Sequence, residues 1–201
     1  VKRGEADVAG IHLLDEATGE YNVPFYHRFG LKGRAVLIRG YAREQGFLVA
    51  KGNPRGIRGF DDIVDQKLSL INRNRGSGTR ILMDFHLSKI AGLKGTRLDE
   101  LTREIQGYTS EAKSHSAAAA AVAHGRADVG VGIRTVAEQY GLDFVKIADE
   151  LFDFLISKDS YSKPAVQSFS DALRSKEFAS LLAAKTPGLK PSQATGTILV
   201  S

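Results

Sequence analysis

The apolar residues of this chain form short runs that alternate with stretches of helical periodicity. Between the runs, apolar positions recur at helical spacing over residues 60–66, 79–91, 97–104, 115–124, 134–140, 164–174 and 176–184. The apolar runs predict buried strands at residues 35–38, 47–50, 68–71, 129–133, 144–147 and 152–156. Alternating strands and helices are typical of an α/β fold, so we expect mainly parallel sheets.

A short sequence word occurs twice and indicates two similar lobes. Gly-x-Ala-Asp-Val stands at residues 4–8 and again at residues 125–129. In each copy the glycine can end a helix, the aspartate lies in the turn, and an apolar strand follows. Because the first copy comes so early, the chain is expected to begin inside a domain. Gly-x-x-Asp is also a common turn between a helix and a strand, so chance recurrence stays open.

The segment 68–82 has the order of an anion-binding loop. An apolar strand leads into a polar loop containing Gly76 and Gly78, and the loop leads into a helix. The first turn of a helix offers unpaired N–H groups and the positive end of the helix dipole, and glycines let the backbone approach a ligand closely. Ser77 and Thr79 add hydroxyl donors. The alternative is that these hydroxyls merely cap the helix.

A second helix start follows at Ser114, with Ser116 and Ala117 in its first turn. The alanine run 117–121 has high helix propensity and a narrow surface that can lie close to a sheet. A plain packing helix is the alternative. His12 is a further candidate, because it follows a predicted strand and would stand at the carboxyl end, where α/β sheets bind ligands.

Composition narrows the function classes. The chain has 201 residues, 28 basic and 23 acidic groups, a net charge of +5 and no cysteine. Disulfides and cysteine-ligated metals are therefore excluded. The basic residues are scattered and not interleaved with aromatic residues, which disfavours direct nucleic-acid binding. The one concentrated positive stretch consists of Arg73, Arg75 and Arg80. No apolar run is long enough for a membrane helix, and no secretory signal is seen.

Several enzyme motifs are absent from the sequence. Gly78 is followed by Thr79 and Arg80, which does not complete a phosphate-binding P-loop, and neither Gly-x-Gly pair completes a dinucleotide fingerprint. No Gly-x-Ser-x-Gly elbow occurs. The five histidines have no metal-ligand spacing, so we expect no metal site. We therefore expect no cofactor and no enzyme activity.

Several short sequence segments together resemble one family. They are Ala9–Asp15 with Thr18–Asn22, Arg43–Phe47 with Gly52–Pro54, Asn72–Arg73 with Gly76–Arg80, Gly107–Tyr108, and residues 125–133. In combination they are similar to the cytoplasmic periplasmic-binding-protein-like domain that is fused to helix-turn-helix regulators or to molybdopterin biosynthesis proteins. The resemblance extends to molybdate- and tungstate-binding proteins and covers nearly the whole chain.

The resemblance implies a two-lobed type II binding-protein fold that holds its ligand in an interlobe cleft. Lobe one would comprise residues 1–65 and 153–201, with its N-terminal part missing, and lobe two residues 66–152. The implied ligand contacts are Ser77, Gly78, Thr79, Ser116, Ala117, Ile133 and His12, with Arg73 and Arg75 as secondary candidates.

The implied function is non-catalytic binding of a small oxyanion, molybdate or tungstate, by a sensor or by the ligand-binding part of a molybdenum-related protein. With this function we expect a cytoplasmic location, and a DNA-binding domain fused upstream is one expected arrangement. Homodimerisation stays open. One alternative is a LysR-type effector domain that binds an organic acid, favoured if arginines face the cleft. Another is an enzyme in which Arg73, Ser77 and Thr79 hold a substrate phosphate. Asp15, Glu111 or Asp128 could add a carboxylate acceptor.

Overall fold

The computed structural model describes residues 1–201, except for the side chain of residue 185. Its residues form two compact units. Unit 1 comprises residues 1–43 and 149–201, and unit 2 comprises residues 44–148. Two long strands, β2 (Ala35–Val49) and β6 (Asp143–Ser157), have residues in both units. Among the helices of the described residues, none is long and apolar enough to cross a membrane.

Unit 1 is built around an antiparallel sheet. Strand β1 pairs with the second half of β6, and the first half of β2 pairs with two C-terminal strands. Alternate residues of β2 enter different cores: Leu37 packs with Tyr26 and Leu155, and Ile38 packs with Ile156 and Val166. Both faces of this sheet are therefore covered. The remaining elements of unit 1 are β1 (Val8–Ile11), α1 (Val23–Arg28), a 3₁₀ turn (Lys158–Ser160), α7 (Pro164–Arg174), α8 (Lys176–Lys185), β7 (Leu189–Pro191) and β8 (Ile198–Val200).

Unit 2 has a three-layer arrangement. Its own elements are α2 (Phe60–Asp65), β3 (Leu70–Arg73), α3 (Gly78–Leu93), α4 (Leu98–Glu104), β4 (Glu111–Ala112), α5 (His115–Ala123), β5 (Val129–Ile133) and α6 (Arg134–Gln139). Strand β3 lies parallel to both β4 and β5, and β5 pairs antiparallel with the end of β2. Phe47 and Val131 pack with residues of α2, α3 and α4, whereas Leu48 packs with α5 and α6.

The glycines of β5 explain how α5 lies close to the sheet. A Cβ atom on Gly130 would meet side-chain atoms of Ile71 and Val122 at 3.1 and 3.3 Å. Ala118 and Ala119 of α5 are fully buried. Small residues on both surfaces therefore let helix and strand approach each other.

The structure corrects the predicted elements in three ways. The runs at 35–38 and 47–50 belong to one strand, β2, and those at 144–147 and 152–156 belong to β6. The expectation of mainly parallel sheets is wrong, since parallel pairing is confined to β3 with β4 and β5, and the other pairs described are antiparallel. The helix α1 and the short strands β4, β7 and β8 were not predicted.

The compact units also differ from the expected lobe bounds. Residues 44–65 belong to unit 2 and residues 149–152 to unit 1. Phe47, Phe60 and Ile63 share one core with Leu70 and Met83, which explains why the first of these segments groups with unit 2. The repeated word precedes a strand in both copies, β1 in unit 1 and β5 in unit 2.

Candidate functional site

Three helices of unit 2 begin at one edge of its parallel strands. Strands β3, β4 and β5 run in the same direction, so their carboxyl ends share this edge. Helix α3 begins after a four-residue loop that follows β3, α5 begins after a two-residue loop that follows β4, and α6 follows β5 directly. The N-termini of helices carry unpaired amides and partial positive charge, and this edge is the usual ligand side of an α/β sheet.

The start of α3 contains three of the predicted contacts. Ser77 is the N-cap, and its Oγ accepts a hydrogen bond from the Arg80 amide at 3.3 Å. The hydroxyl hydrogen of Ser77 can still be donated, because a serine hydroxyl both accepts and donates. Ser77 and Gly78 are half-buried, and Thr79 is buried. Gly76 has a φ of +82°, which lets the loop turn into the helix.

The start of α5 contains two more of the predicted ligand contacts, Ser116 and Ala117. Ser114 is the N-cap, and its Oγ accepts from the Ala117 amide at 3.0 Å. The amide of Ala117, a predicted ligand contact, therefore already donates its hydrogen bond within the helix cap. Ser116 is half-buried in the first turn, which makes its hydroxyl the better candidate donor. Ile133 is the half-buried N-cap residue of α6.

The two arginines proposed as secondary contacts lie in different environments. The side chain of Arg73 is buried, and its Nε donates to the Ala112 carbonyl at 3.1 Å. Its Nη1 lies 2.9 Å from His115 Nδ1. Arg73 thus ties the end of β3 to the end of β4 and the start of α5. Arg75, by contrast, has an 81% exposed side chain, 3.9 Å from Glu111.

The third arginine of the positive stretch serves the fold. Arg80 is buried, and its Nε donates to both carboxylate oxygens of Asp84 at 3.0 Å. Its guanidinium lies 4.2 Å from the centre of the Tyr108 ring and 3.4 Å from Glu111. Burial and the hydrogen bond to Asp84 raise the pKa of Tyr108. The charge of Arg80 is therefore balanced locally rather than presented to a ligand.

His12 lies in unit 1, whereas the other predicted contacts lie in unit 2. Its Nδ1 is 2.9 Å from the buried Glu150 carboxylate, which also accepts from Arg43. The ring stacks on Phe152 with its centroid 5.5 Å away. Burial alone would raise the pKa of Glu150, but hydrogen bonds from His12 and Arg43 hold it below its usual value. Burial and the charge of Glu150 raise the pKa of Tyr21 to about 12.

The three acidic residues considered as acceptors are engaged elsewhere. Asp128 precedes β5, at the opposite end of the strand from Ile133, and accepts from the amide and hydroxyl of Ser69. Asp15 belongs to unit 1 and accepts from Arg28. Glu111, in β4, contacts Arg75 and Arg80. Among the residues that the structure describes, no three His, Asp or Glu side chains are grouped to hold a metal ion.

His115 is a candidate site residue that the sequence alone does not indicate. A Cβ atom on Gly132 would lie 3.5 Å from His115 Nδ1, so the imidazole lies over the end of β5 as well as beside Arg73. The signal was present locally: His115 directly follows the N-cap Ser114 and therefore occupies the first position of α5. Its approach to β3 and β5 depends on the strand order.

A search of solved structures finds proteins of the same fold. Peb3 from Campylobacter jejuni matches with a TM-score of 0.60 and 17% identity over 94% of this chain and 81% of that one. The substrate-binding domain of a putative molybdenum ABC transporter from Clostridium difficile matches at 0.58 and 14%, over 96% and 80%. The sulfate-binding protein SubI from Mycobacterium tuberculosis matches at 0.63 and 15%, over 94% and 69%. At these identities the likeness concerns the fold.

Two curated relatives are uncharacterized proteins. YvgK of Bacillus subtilis is 32% identical over 176 residues, which cover 88% of this chain and 54% of that protein. The chain thus spans about half the length of this relative. A protein encoded in the 5′ region of a ferredoxin gene of Clostridium pasteurianum is 30% identical over 99 residues, 49% of this chain and 80% of that one.

A family model described as the PBP superfamily domain matches residues 1–174. The predicted α/β fold of the type II periplasmic-binding-protein kind is confirmed by this match and by the structural neighbours. The chain therefore belongs to the PBP superfamily of periplasmic-binding-protein-like domains.

Proposed function

We propose that unit 2 binds a small tetrahedral oxyanion, without chemical transformation, at the carboxyl edge of β3, β4 and β5. The observation that carries this proposal is the convergence of the α3, α5 and α6 N-termini at adjacent strand ends. Ser77 and Ser116 add hydroxyl groups at this edge. Arg73, at the end of β3, donates a hydrogen bond to the Ala112 carbonyl at the end of β4. Helix starts and hydroxyl groups together can satisfy anionic oxygens without a dedicated counter-charge.

The charges around this edge favour a fully ionised anion. Arg80 is balanced by Asp84 and Glu111, whereas the helix dipoles, Arg73 and the exposed Arg75 contribute positive potential at this edge. Donors outnumber acceptors, since Glu111 is engaged by arginines and Asp128 lies at the opposite ends of the strands. Near neutral pH, molybdate and tungstate carry no proton, so they only accept hydrogen bonds. The names of two structural neighbours mention molybdenum and sulfate.

The biological role that follows is that of a ligand-binding module. A domain that binds molybdate or tungstate without changing it can serve as the sensor of a regulator or as the binding part of a molybdenum-related protein. The chain covers 54% of the YvgK protein, so in that relative the matching region is one part of a longer chain.

A second candidate is an organic acid, as in effector domains of LysR type. The supporting observation is the exposed Arg75 in the loop between β3 and α3, whose planar guanidinium can pair with a carboxylate. PEB3 has been solved with L-phospholactate, a ligand that carries both phosphate and carboxylate groups. An organic acid that binds while oxyanions do not would select this candidate.

The test replaces Ser77 by alanine and measures dissociation constants by calorimetry for molybdate, tungstate, sulfate and phosphate. Losing one donor to a charged acceptor costs about 1–2 kcal/mol, so we expect oxyanion binding to weaken about 5- to 30-fold. Ser175→Ala is the matched control, because Ser175 caps α8 in unit 1 in the same way. Equal dissociation constants for wild type and S77A would contradict the role of Ser77.

A further inference from the structure

Arg43 of unit 1 has hydrogen-bond donors that its ion pair does not use. Its Nε donates to one oxygen of the buried Glu150 carboxylate, and His12 Nδ1 lies 2.9 Å from the other oxygen. Among the residues that the structure describes, neither Nη nitrogen of Arg43 has a hydrogen-bond partner, and solvent reaches both. The two Nη groups carry four of the five N–H donors of a guanidinium, so most of its donors stay unpaired.

These unpaired donors belong to a largely buried side chain. Only 13% of the Arg43 side chain is exposed, compared with 81% for Arg75. The central carbon of the guanidinium lies 5.0 Å from the centre of the Phe152 ring. Contact with Phe152 and the bond to Glu150 therefore hold the guanidinium in place. A charged donor held in this way gains more from an anionic partner than an exposed arginine does.

Two tyrosine phenols lie close to the same ion pair. Within the described part of the chain, the hydroxyls of Tyr21 and Tyr41 have no hydrogen-bond partner, and both are open to solvent. Burial raises the pKa of both phenols, to about 12 for Tyr21, while Glu150 raises each pKa further and Arg43 lowers it. Both phenols are therefore near the pair and keep their hydrogens at neutral pH. The Tyr41 ring stacks on Phe152 at 5.3 Å between centroids, on the ring that Arg43 also contacts.

The charges of this group favour a singly charged ligand. Glu150 is 1% exposed and lies against Arg43, so its negative charge offsets that of the arginine. A dianion such as molybdate would bring two negative charges close to this buried carboxylate, and one arginine does not cancel the repulsion. A carboxylate carries a single charge, and its two coplanar oxygens match the two Nη groups of one guanidinium.

We propose that Arg43, with the phenols of Tyr21 and Tyr41 beside it, forms a second site, within unit 1, for the carboxylate of a small monoanionic organic acid. The carboxylate oxygens accept hydrogen bonds from Nη1 and Nη2 of Arg43. A phenol hydroxyl can donate to the same oxygens or accept from a hydroxyl of the acid. Since the site consists of unit 1 residues alone, it does not depend on the oxyanion site proposed for unit 2.

The test uses L-lactate, which combines one carboxylate with a hydroxyl. Calorimetry on the 201-residue protein gives dissociation constants for L-lactate and, separately, for molybdate. Arg43→Lys keeps the charge beside Glu150 but loses the two Nη groups. We expect it to weaken lactate binding about tenfold and to change molybdate binding less than about twofold. The double variant Tyr21→Phe with Tyr41→Phe keeps both rings and should weaken lactate binding about fivefold.

Arg39→Lys is the matched control. Arg39 lies in the same strand, β2, and its side chain is 15% exposed, but its Nη1 already donates to Asp153. Lactate affinity should stay within about twofold of wild type in this variant. Arg75→Ala should leave lactate affinity unchanged as well, because Arg75 lies in unit 2. A loss in Arg75→Ala instead of Arg43→Lys would place the acid in unit 2 and contradict the proposal.

The outcomes separate this inference from the proposed function. If lactate does not bind the wild-type protein, or if R43K or the double phenylalanine variant binds it as tightly as wild type, the site in unit 1 is wrong, whatever molybdate does. If R43K weakens molybdate and lactate alike, the preference for a monoanion is wrong. If lactate binding follows the expectation while no oxyanion binds, the proposed function is wrong and the site at Arg43 stands.

Discussion

Gly107 shows how one backbone position constrains unit 2. It has a φ of +79°, and a Cβ atom there would lie 2.2 Å from the carbonyl oxygen of Leu70. We expect Gly107→Ala to lower the free energy of unfolding by at least about 2 kcal/mol, because alanine adds both left-handed strain and a backbone clash. Urea unfolding followed by circular dichroism measures the change.

Gly92 provides the matched control for this prediction. It is an exposed residue of α3, and a Cβ atom there would meet nothing within 4 Å. Gly92→Ala should raise the free energy of unfolding by about 0.5–1 kcal/mol, since alanine has the higher helix propensity. If both alanine variants shifted stability alike, the argument from the Gly107 backbone would be wrong.

Site residues differed in how far the sequence revealed them. The capping positions Ser77 and Ser114 were visible because a cap is set by a few neighbouring residues. The pair formed by Arg73 and His115 was not visible, since it depends on β3 and β4 being neighbours in the sheet. Arg80 was grouped with the other arginines, and its pairing with Asp84 and Tyr108 became apparent only in the structure.

At the level of elements, the alanine run of α5 sets the spacing between helix and sheet. Ala118 is fully buried in the core that also holds Leu48 and Val136. We expect Ala118→Leu to lower the free energy of unfolding by about 1–3 kcal/mol, because the added carbons have no space between α5 and β5. Chemical denaturation of the variant checks the value.

Ala123, the last residue of the same helix, is exposed and serves as the control. Leucine is a good helix former, so Ala123→Leu should change stability by less than about 0.5 kcal/mol. A loss at position 123 as large as that at position 118 would show that leucine in this helix is harmful for reasons other than packing.

Each of the two long strands, β2 and β6, was predicted as two separate strands. The polar centre of β2 contains Arg43 and Glu44, and polarity of this kind predicts a break between two strands. In the structure, Arg43 donates to Glu150 within unit 1, and Glu44 contacts Arg134 within unit 2. Ion pairing therefore lets charged residues continue a strand, and such partners are distant in sequence.

For the molecule as a whole, the acid sensitivity of folding follows from carboxylates that accept hydrogen bonds in the folded protein. The pKa of Glu150 lies below its usual value of 4.5, and hydrogen bonds from Ser69 lower that of Asp128 from 3.8. On acidification the unfolded chain takes up protons at these groups before the folded protein does, so its population rises. We expect the free energy of unfolding to fall between about pH 5 and pH 3, measured by urea titrations at several pH values.

Glu150→Gln isolates the contribution of Glu150. The variant leaves Arg43 and His12 beside a neutral amide, and removing one partner of a buried ion pair costs about 3–5 kcal/mol at neutral pH. Its stability should also decline less steeply below pH 5. Glu16→Gln, an exposed carboxylate, is the control and should keep the wild-type pH profile. An unchanged profile in E150Q would exclude Glu150 as a source of the acid sensitivity.

The family could be predicted from the sequence, whereas the unit bounds could not. The segments that carry the family resemblance, such as residues 125–133, form local turns and strand starts, which can be predicted from neighbouring residues alone. The grouping of residues 44–65 with unit 2 depends on Phe60 and Ile63 packing with Met83, and no local pattern indicates that contact.

The division of the chain also has a consequence for its synthesis. Unit 2 is one continuous segment, residues 44–148, whereas unit 1 is assembled from two segments on either side of it. Domains generally fold as units, N-terminal parts first, while the ribosome is still adding residues. Strand β1 must wait for its partner β6, because Val8 pairs with Ile156. The nascent chain therefore completes unit 2 first, and residues 149–201 close unit 1 afterwards.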